Sequence, residues 1–599
     1  MDAMSQLDRQ LRDLAEASAY ASFLLEASFR TCLQHLPACG HLAYGPSRKS
    51  ESHLDALFER LQNLEEKCLH LASNLSTQPR SQERQFSPAS FDVESLAYVV
   101  PTSGQHTTSS PSTTSLAQTA PETDPMTGES SSSCIAKRPQ HSLDASTLLK
   151  RAFDQVLGLK QQNINEWMAC SDACIRQEIS KACVQNFWKY YQLDIFPNFI
   201  NTKLMHLIPD IIAMPEVSLD PATVVLYYGI LYQGSLVAST DLTRQDKNLT
   251  QSMYICCLRE MPTWLQKGSG TKVDLIAGVL LARVAAQQAD FESAWNMHRL
   301  ACQCVRQLNL HKIDADNLGG LMNSDRLSSE ANQDRGSLWG LALADLIFRL
   351  IHDKPALLMT DLAEWQVNIP WLDVGPKPLQ PHVPTLVSLA KSQLVLILLR
   401  FFDTVDREGE NKVAMADRVR FLCAEVEQLF LEWAVEDLMK TQEANVSSWW
   451  ALYDVMLTGY CSILFMLHKM TATQLVSSGV PIMDEDVALT SLIIKAARRV
   501  LDLACQSLKL YPHPAALCGV FGSFRCYVAY DYLARHLSRG NSQEPEHVVT
   551  SDIALLESLT QNIAAIADID KTLLPVVFVL LEVNQAIYAA WAEQAETSF

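Results

Sequence analysis

Val273-Asp-Leu-Ile-Ala-Gly-Val-Leu-Leu-Ala-Arg-Val-Ala-Ala-Gln287 runs through Gln288-Ala-Asp290 into Phe291-Glu-Ser-Ala-Trp-Asn-Met-His-Arg-Leu-Ala-Cys-Gln-Cys-Val-Arg-Gln-Leu308. Apolar side chains recur in both halves at spacings of three and four, the period of a helix with one apolar face. A short polar turn separates them, so the stretch reads as a helix pair. The same reading extends outward over Leu148–Leu159, Ala182–Tyr191, Ala222–Ser239, Leu249–Trp264, Arg335–Ile351, Leu386–Val405, Ala414–Leu438, Ser447–Met470, Asp486–Leu508, Ala515–Leu537, Ser551–Ile566 and Lys571–Glu593. Alternating segments are nearly absent, which predicts an all-α domain of stacked helix pairs over 146–599. Pro209, Pro215, Pro221, Pro262, Pro370, Pro376 and Pro481 are read as helix starts or breaks.

Upstream, the pattern changes twice. Met4, Leu7, Leu11, Leu14, Ser18, Ala21 and Leu25 step by threes and fours, an amphipathic helix within 1–36. A cleaner heptad lies within 37–78: Leu54, Leu57, Leu61, Leu64, Cys68, Leu71 and Leu75, flanked by Glu59, Arg60, Glu65, Glu66 and Lys67. It is read as a short coiled-coil helix whose leucines dimerise, with a helical hairpin folded on itself as the alternative. Residues 79–145 are a Ser/Thr/Pro-rich segment; half of Pro101–Cys134 is Ser or Thr. Such a composition cannot bury enough apolar surface to offset its ordering entropy, so a disordered linker is expected.

Charge narrows the function. The 48 Lys and Arg residues face 67 Asp and Glu, a net charge of −19, and no segment is basic: residues 1–80 carry −2, 81–145 carry −4 and the rest −13. Phosphate contacts need clustered cations, so the acidity weighs against the chain as a whole binding nucleic acid, and any DNA-binding surface is expected to be local. Cys256, Cys257, Cys302, Cys304, Cys461 and Cys505 sit in apolar stretches of a chain with 16 cysteines, the pattern of reduced, buried thiols in a cytosolic or nuclear protein. The first twelve residues are polar and acidic, unlike a secretory signal. Lys391 and Glu582 interrupt the two most apolar runs, so no membrane span is expected.

Catalytic templates do not fit. No His-Glu-x-x-His, Gly-x-Ser-x-Gly or strand-linked Gly-x-Gly-x-x-Gly occurs. Gly268-Ser-Gly-Thr-Lys272 lacks the spacing of a phosphate loop and reads as a turn between helices. Met483-Asp-Glu-Asp486 reads as the acidic start of a helix. Cys170, Cys174 and Cys183 read as core thiols, and Cys32 with Cys39 makes only two ligands, so no cofactor or metal is expected in this chain.

Two stretches resemble the fungal zinc-cluster transcription factors, whose cluster holds two zinc ions on six cysteines, and their "middle homology" regulatory domain. Pro37-Ala-Cys-Gly-His-Leu-Ala-Tyr-Gly-Pro-Ser-Arg-Lys49, running into the heptad, looks like the exit of the cluster, its linker and its dimerising helix. Leu219-Asp-Pro-Ala-Thr-Val-Val-Leu-Tyr-Tyr-Gly-Ile-Leu-Tyr232 is similar to the family's early helix. Ala294 through Gln307-Leu-Asn-Leu-His311 is similar to the helix that ends in a Leu-Gly-Leu-His-type turn. Arg335-Gly-Ser-Leu338-Trp339 through Asp345, then Lys354-Pro355 and Val367-Asn-Ile-Pro370, resembles the Arg-Arg-x-Leu-Trp-Trp helix, its aspartate, a Gly-Arg-Pro turn and a Val-x-Leu-Pro exit. The sequence departs with Gly340 for the second tryptophan and Asp353-Lys-Pro355 for Gly-Arg-Pro. The core match covers 180–375, with weaker echoes to 510.

The motif residues suit structure: burial for Leu338 and Trp339, pairing of Asp345 with Arg349 at i, i+4, and helix stops at Pro355 and Pro370. The resemblance implies a nuclear transcription regulator, present in nucleus or in nucleus and cytoplasm, controlling RNA polymerase II genes such as those of a metabolic or biosynthetic pathway. Its partners would be a second copy or another transcription factor, and coregulator proteins. Two cysteines before residue 40 cannot build the cluster, so DNA is expected to be touched weakly or indirectly, the reader being lost or encoded upstream. The alternative is a cytosolic, tetratricopeptide-like scaffold that binds proteins. An all-α enzyme is a third reading, which a buried metal or paired carboxylates would favour.

Overall fold

The computed structural model describes residues 145–599 apart from 170–174, 191–195, 215, 238–248, 316–328, 360–363, 371–382, 407–411, 443–444, 479–486, 539–544 and 598–599. The amphipathic segment at 1–36, the heptad leucines Leu54, Leu57, Leu61, Leu64, Leu71 and Leu75, and the linker at 79–144 lie outside the described residues, as do Pro215, Pro376, Pro481 and Met483 to Asp486.

Among the described residues the fold is all-α, without a strand. The helices run α1 (Ala145–Ala169), α2 (Gln177–Tyr190), α3 (Thr202–Ile211), α4 (Pro221–Val237), α5 (Leu249–Lys267), α6 (Lys272–Gln287), α7 (Phe291–Gln307), α8 (Ser329–His352), α9 (Val383–Asp406), α10 (Lys412–Glu432), α11 (Val435–Thr441), α12 (Val446–Ser478), α13 (Val487–Leu510), α14 (Tyr527–Ser538), α15 (Glu546–Ile569) and α16 (Leu574–Thr597). Sequence neighbours pack pairwise: α4 on α5, α6 on α7, α8 on α9, α12 on α13. The pairs are then joined by longer-range contacts of α2 and α6 with α4, of α9 with α12, and of α13 with α14 and α15. The last helix returns to the first, α16 and α14 both packing on α1.

Local chemistry accounts for the sharpest boundaries. Thr271 caps α6 reciprocally: its hydroxyl accepts from Asp274 N–H at 3.2 Å while Asp274 Oδ2 accepts from Thr271 N–H at 2.7 Å. Asp274 also receives the Trp264 indole N–H at 2.6 Å, so Gly268 to Lys272 is the predicted turn, tied to both helices. Asp290 caps α7 through Ser293 N–H at 3.1 Å and takes the Tyr254 hydroxyl at 2.8 Å.

Four sequence expectations are corrected. Pro209 and Pro262 lie inside α3 and α5 rather than breaking them; in α5 the adjacent Met261 and Trp264 are buried, and that packing offsets the missing N–H. Ala414–Leu438 is not one helix but α10 and α11, divided at Ala434, whose φ is 46°. Ala515–Leu537 is interrupted: a short α-turn, Pro514–Leu517, passes into a π-segment, Cys518–Ser523, and Arg525 at φ 45° redirects the chain into α14. Helix α3 was not legible as a separate element.

Among the described residues, three helical stretches are long and apolar enough to cross a membrane by length and composition: Val383–Asp406, Val446–Thr471 and Lys571–Ala592. In the first two, 78% of the most apolar window is buried inside the bundle, but only 39% in the third. Lys391, the charge that interrupts α9, is buried and pairs with Asp454 of α12 at 3.4 Å. Each described cysteine among Cys183, Cys256, Cys257, Cys302, Cys304, Cys423, Cys461, Cys505, Cys518 and Cys526 is a buried free thiol, as expected.

Candidate functional site

Three of the quoted motifs, at 294–311, 335–345 and 354–370, lie around α7, α8 and the segment after α8, while 219–232 runs into α4 and 37–49 lies outside the described residues. Helix α7 ends at Leu308, Asn309 takes φ 54°, and the chain turns back through Leu310–Lys312. Helix α8 also ends on a left-handed residue: Asp353 takes φ 56° and Lys354 N–H reaches back to Phe348 O at 3.3 Å. Glycine adopts this left-handed region freely; Asn and Asp are the other side chains that enter it most readily. The exit segment beyond α8 pairs with the turn after α7, where Gln366 N–H donates to His311 O at 2.8 Å and Asp314 N–H donates to Gln366 O at 3.1 Å.

Arg335 is buried in this junction and forks onto Asp314, Nε to Oδ2 at 3.0 Å and an Nη to Oδ1 at 2.7 Å, with both side chains 5% exposed. Asp314 Oδ2 also accepts Asn368 N–H at 2.8 Å, and Asn368 O accepts the Trp339 indole N–H at 3.0 Å. Ser337, one residue before Leu338, accepts Phe196 N–H at 2.7 Å. Leu338 and Trp339 are buried, Trp339 edge-on to Trp365, and Pro370 is buried while Pro355 is exposed. A Cβ on Gly340 would meet the stem of Lys391 at 3.9 Å.

The expected Asp345–Arg349 pair is not formed. Asp345 points inward with no exposure, its Oδ2 accepting Leu357 N–H at 2.7 Å and Leu358 N–H at 2.9 Å. Arg349 points out, bonds Asp406 at 2.7 Å and lies over the Phe402 ring at 4.0 Å. The spacing is right for a pair, but two orphan amides after the helix compete better for a buried carboxylate.

The remaining oxygen of Asp345 faces a pair on α7 that the sequence reading missed. His298 Nε2 lies 3.3 Å from Asp345 Oδ1 and 3.4 Å from Cys302 Sγ, with all three residues buried. Their i, i+4 spacing puts His298 and Cys302 on one face, and Asp345 arrives from α8. Phe348 and Trp295 close over the imidazole, at centroid distances of 4.9 and 5.8 Å. Burial first, then the Asp345 carboxylate, push the Cys302 thiol up, away from the thiolate a nucleophile needs. A nucleophile–base–orienter relay also uses both ring nitrogens; here thiol and carboxylate converge on Nε2.

At the end of α8, His352 Nε2 donates to Ser523 O of the π-segment at 2.9 Å, and burial, aided by Arg525, lowers its pKa to about 4. His513 is likewise lowered to about 4 by burial and then Lys160, its Nδ1 accepting Ala515 N–H at 3.1 Å. Unfolded imidazoles protonate near pH 6.5, so between about 6.5 and 4 the unfolded chain binds more protons and stability falls as pH falls, by about 1.4 kcal/mol per pH unit for each histidine. Asp334, raised to about 6 by burial, works in the opposite sense, but burial also lowers His468 and His311. Urea midpoints at pH 7 and 4.5 should therefore differ in favour of pH 7, and His352→Gln should flatten the slope. Equal midpoints would contradict the neutral histidines.

Compared with protein-family models, curated proteins and solved structures, the chain gives no match in any of the three.

Proposed function

We propose that the helical unit is the regulatory domain of a transcription regulator of the fungal zinc-cluster kind, acting through protein association and without a complete DNA-reading cluster in this chain. The observation that carries the reading is backbone geometry at two motif positions. Where the resembling turns have glycine, Leu-Gly-Leu-His and Gly-Arg-Pro, this chain has Asn309 and Asp353, and both adopt positive φ, 54° and 56°. The substitutions thus preserve the conformation that the glycines serve.

Helix α16 supplies an association surface. Leu573, Val576, Val577, Leu580, Val583 and Ile587 are buried against the bundle, while Phe578, Leu581, Tyr588 and Trp591 remain 37 to 64% exposed. Exposed large apolar side chains gathered on one helix mark contact with another macromolecule, and a coregulator protein is the partner the reading names. The heptad at 54–75 would add self-association or pairing with a second transcription factor. The motif side chains are occupied in packing, which leaves the surface rather than the lattice for partners.

The test is a reporter assay in which the full chain is fused to an unrelated DNA reader, with its distribution imaged in the same cells. Nuclear accumulation and a changed reporter output are expected, and Phe578→Glu, at the most exposed of these positions, should abolish the change while altering stability by about 0.5 kcal/mol or less. A chain confined to the cytoplasm and silent when tethered would reject the proposal in favour of the cytosolic scaffold.

A further inference from the structure

The triad of His298, Cys302 and Asp345 holds three different donor types around one point in the interior. Their ligating atoms all lie within 4.8 Å of one another. Zinc takes imidazole nitrogen and carboxylate oxygen at about 2.0–2.1 Å and thiolate sulfur at about 2.3 Å, in tetrahedral geometry. Those bond lengths place tetrahedral N and O about 3.3 Å apart and N and S about 3.6 Å apart. The observed N–O and N–S separations are 3.3 and 3.4 Å; Sγ and the carboxylate oxygen, within 4.8 Å of each other, would draw toward the roughly 3.6 Å of a tetrahedral S–O edge as an ion binds.

Hydrogen bonding at Nε2 serves only one of the two neighbours at a time. If His298 Nε2 carries the proton, it donates to Asp345 Oδ1 and the thiol hydrogen of Cys302 loses the imidazole as acceptor. In the other tautomer the Nε2 lone pair takes the thiol hydrogen and faces a carboxylate oxygen at 3.3 Å, acceptor against acceptor. One cation placed between the three atoms satisfies all of them. The carboxylate is also oriented from behind: Oδ2 is fixed by the Leu357 and Leu358 amides, which leaves Oδ1 aimed at the shared point. Outer-shell hydrogen bonds of this type hold metal ligands in place.

We propose that His298, Cys302 and Asp345 form a zinc site that pins α7 to α8 and to the segment after it. The ligand set of imidazole, thiolate and carboxylate favours zinc over the hard cations calcium and magnesium, which take oxygen. The Cys302 thiol proton leaves to solvent as the Zn–S bond forms, and no electron is transferred. Three protein ligands leave the fourth corner to a water. With all three side chains buried, the ion enters as the chain folds.

The experiment measures metal in the full-length protein, purified without chelator and passed through metal-free gel filtration, and repeats the measurement after refolding with cobalt(II). Zinc at about one ion per chain is expected, and the cobalt form should show a thiolate-to-cobalt charge-transfer band. His298→Gln and Cys302→Ser should each lose the zinc and the band, while Cys461→Ala, a buried thiol elsewhere, keeps both. Cys302→Ser changes a single atom, so its cooperative unfolding serves as the check on folding should His298→Gln fail to fold. A folded parent without zinc overturns the site, and so does zinc or a thiolate band that survives in Cys302→Ser, because the metal would then sit on other cysteines.

Discussion

Arg335→Ala is expected to lower the stability of the helical unit by about 3–5 kcal/mol, the loss that follows when one member of a buried ion pair is removed. Asp314 would remain at 5% exposure with its charge no longer met by the guanidinium. The damage should also spread along the hydrogen bonds, because Asn368 O holds Trp339 and the same segment pairs with the turn after α7. Arg335→Lys should recover little, since an ammonium cannot reproduce the two-pronged bond. Arg335→Met with Asp314→Leu should recover most of the loss, because it removes both charges together. Urea unfolding with an unchanged m-value is the measurement, and an Arg335→Ala protein as stable as the parent would refute the lattice's role.

Gly234→Ala should be nearly as damaging, for a steric reason. Helices α2 and α4 cross where a Cβ on Gly234 would lie 1.9 Å from the backbone oxygen of Cys183. A side chain could rotate away, but a carbonyl inside α2 cannot, so the helices must part. Val184 and Phe187 on α2 and Ile230 and Leu231 on α4 have no exposure, and parting would loosen their contacts. Overpacking of this kind costs about 1–3 kcal/mol or more, which outweighs the gain of about 1 kcal/mol that alanine brings to a helix interior. Gly158→Ala is the matched control: nothing lies within 4 Å of its Cβ position on the exposed side of α1, and it should stabilise by up to about 1 kcal/mol. Melting curves that rank these two variants the other way would show that the crossing is looser than described.

The helical class was legible because the apolar period is sustained over the domain. Helix ends were readable where a side chain caps them, as at Thr271 and Asp290, and unreadable where the backbone alone decides, as at Ala434 and Arg525. No local signal marks an alanine or an arginine for positive φ. Arg335 and Asp345 stood out in the sequence, but their partners Asp314, Asn368, Leu357 and Leu358 come from segments that only the tertiary fold brings near. His298 and Cys302 could have been found from their i, i+4 spacing on a helix face. Without Asp345, which sits 47 positions from His298, that spacing is two residues in a core helix.

The apolarity of α9 has a consequence for synthesis. This helix packs on α8, made before it, and on α10 and α12, made after it. Forty residues separate its end at Asp406 from the start of α12 at Val446, which at 5–20 residues per second leaves about 2–8 s before that partner begins to emerge from the ribosome. During that interval a segment of membrane-spanning length and composition lacks its α12 contacts, and the lysine at 391 is without the aspartate at 454. A charge that in the finished bundle is half of an ion pair thus also makes the nascent helix a poorer substrate for membrane insertion, since a lysine near the centre of a span costs about 2.5–3.5 kcal/mol there.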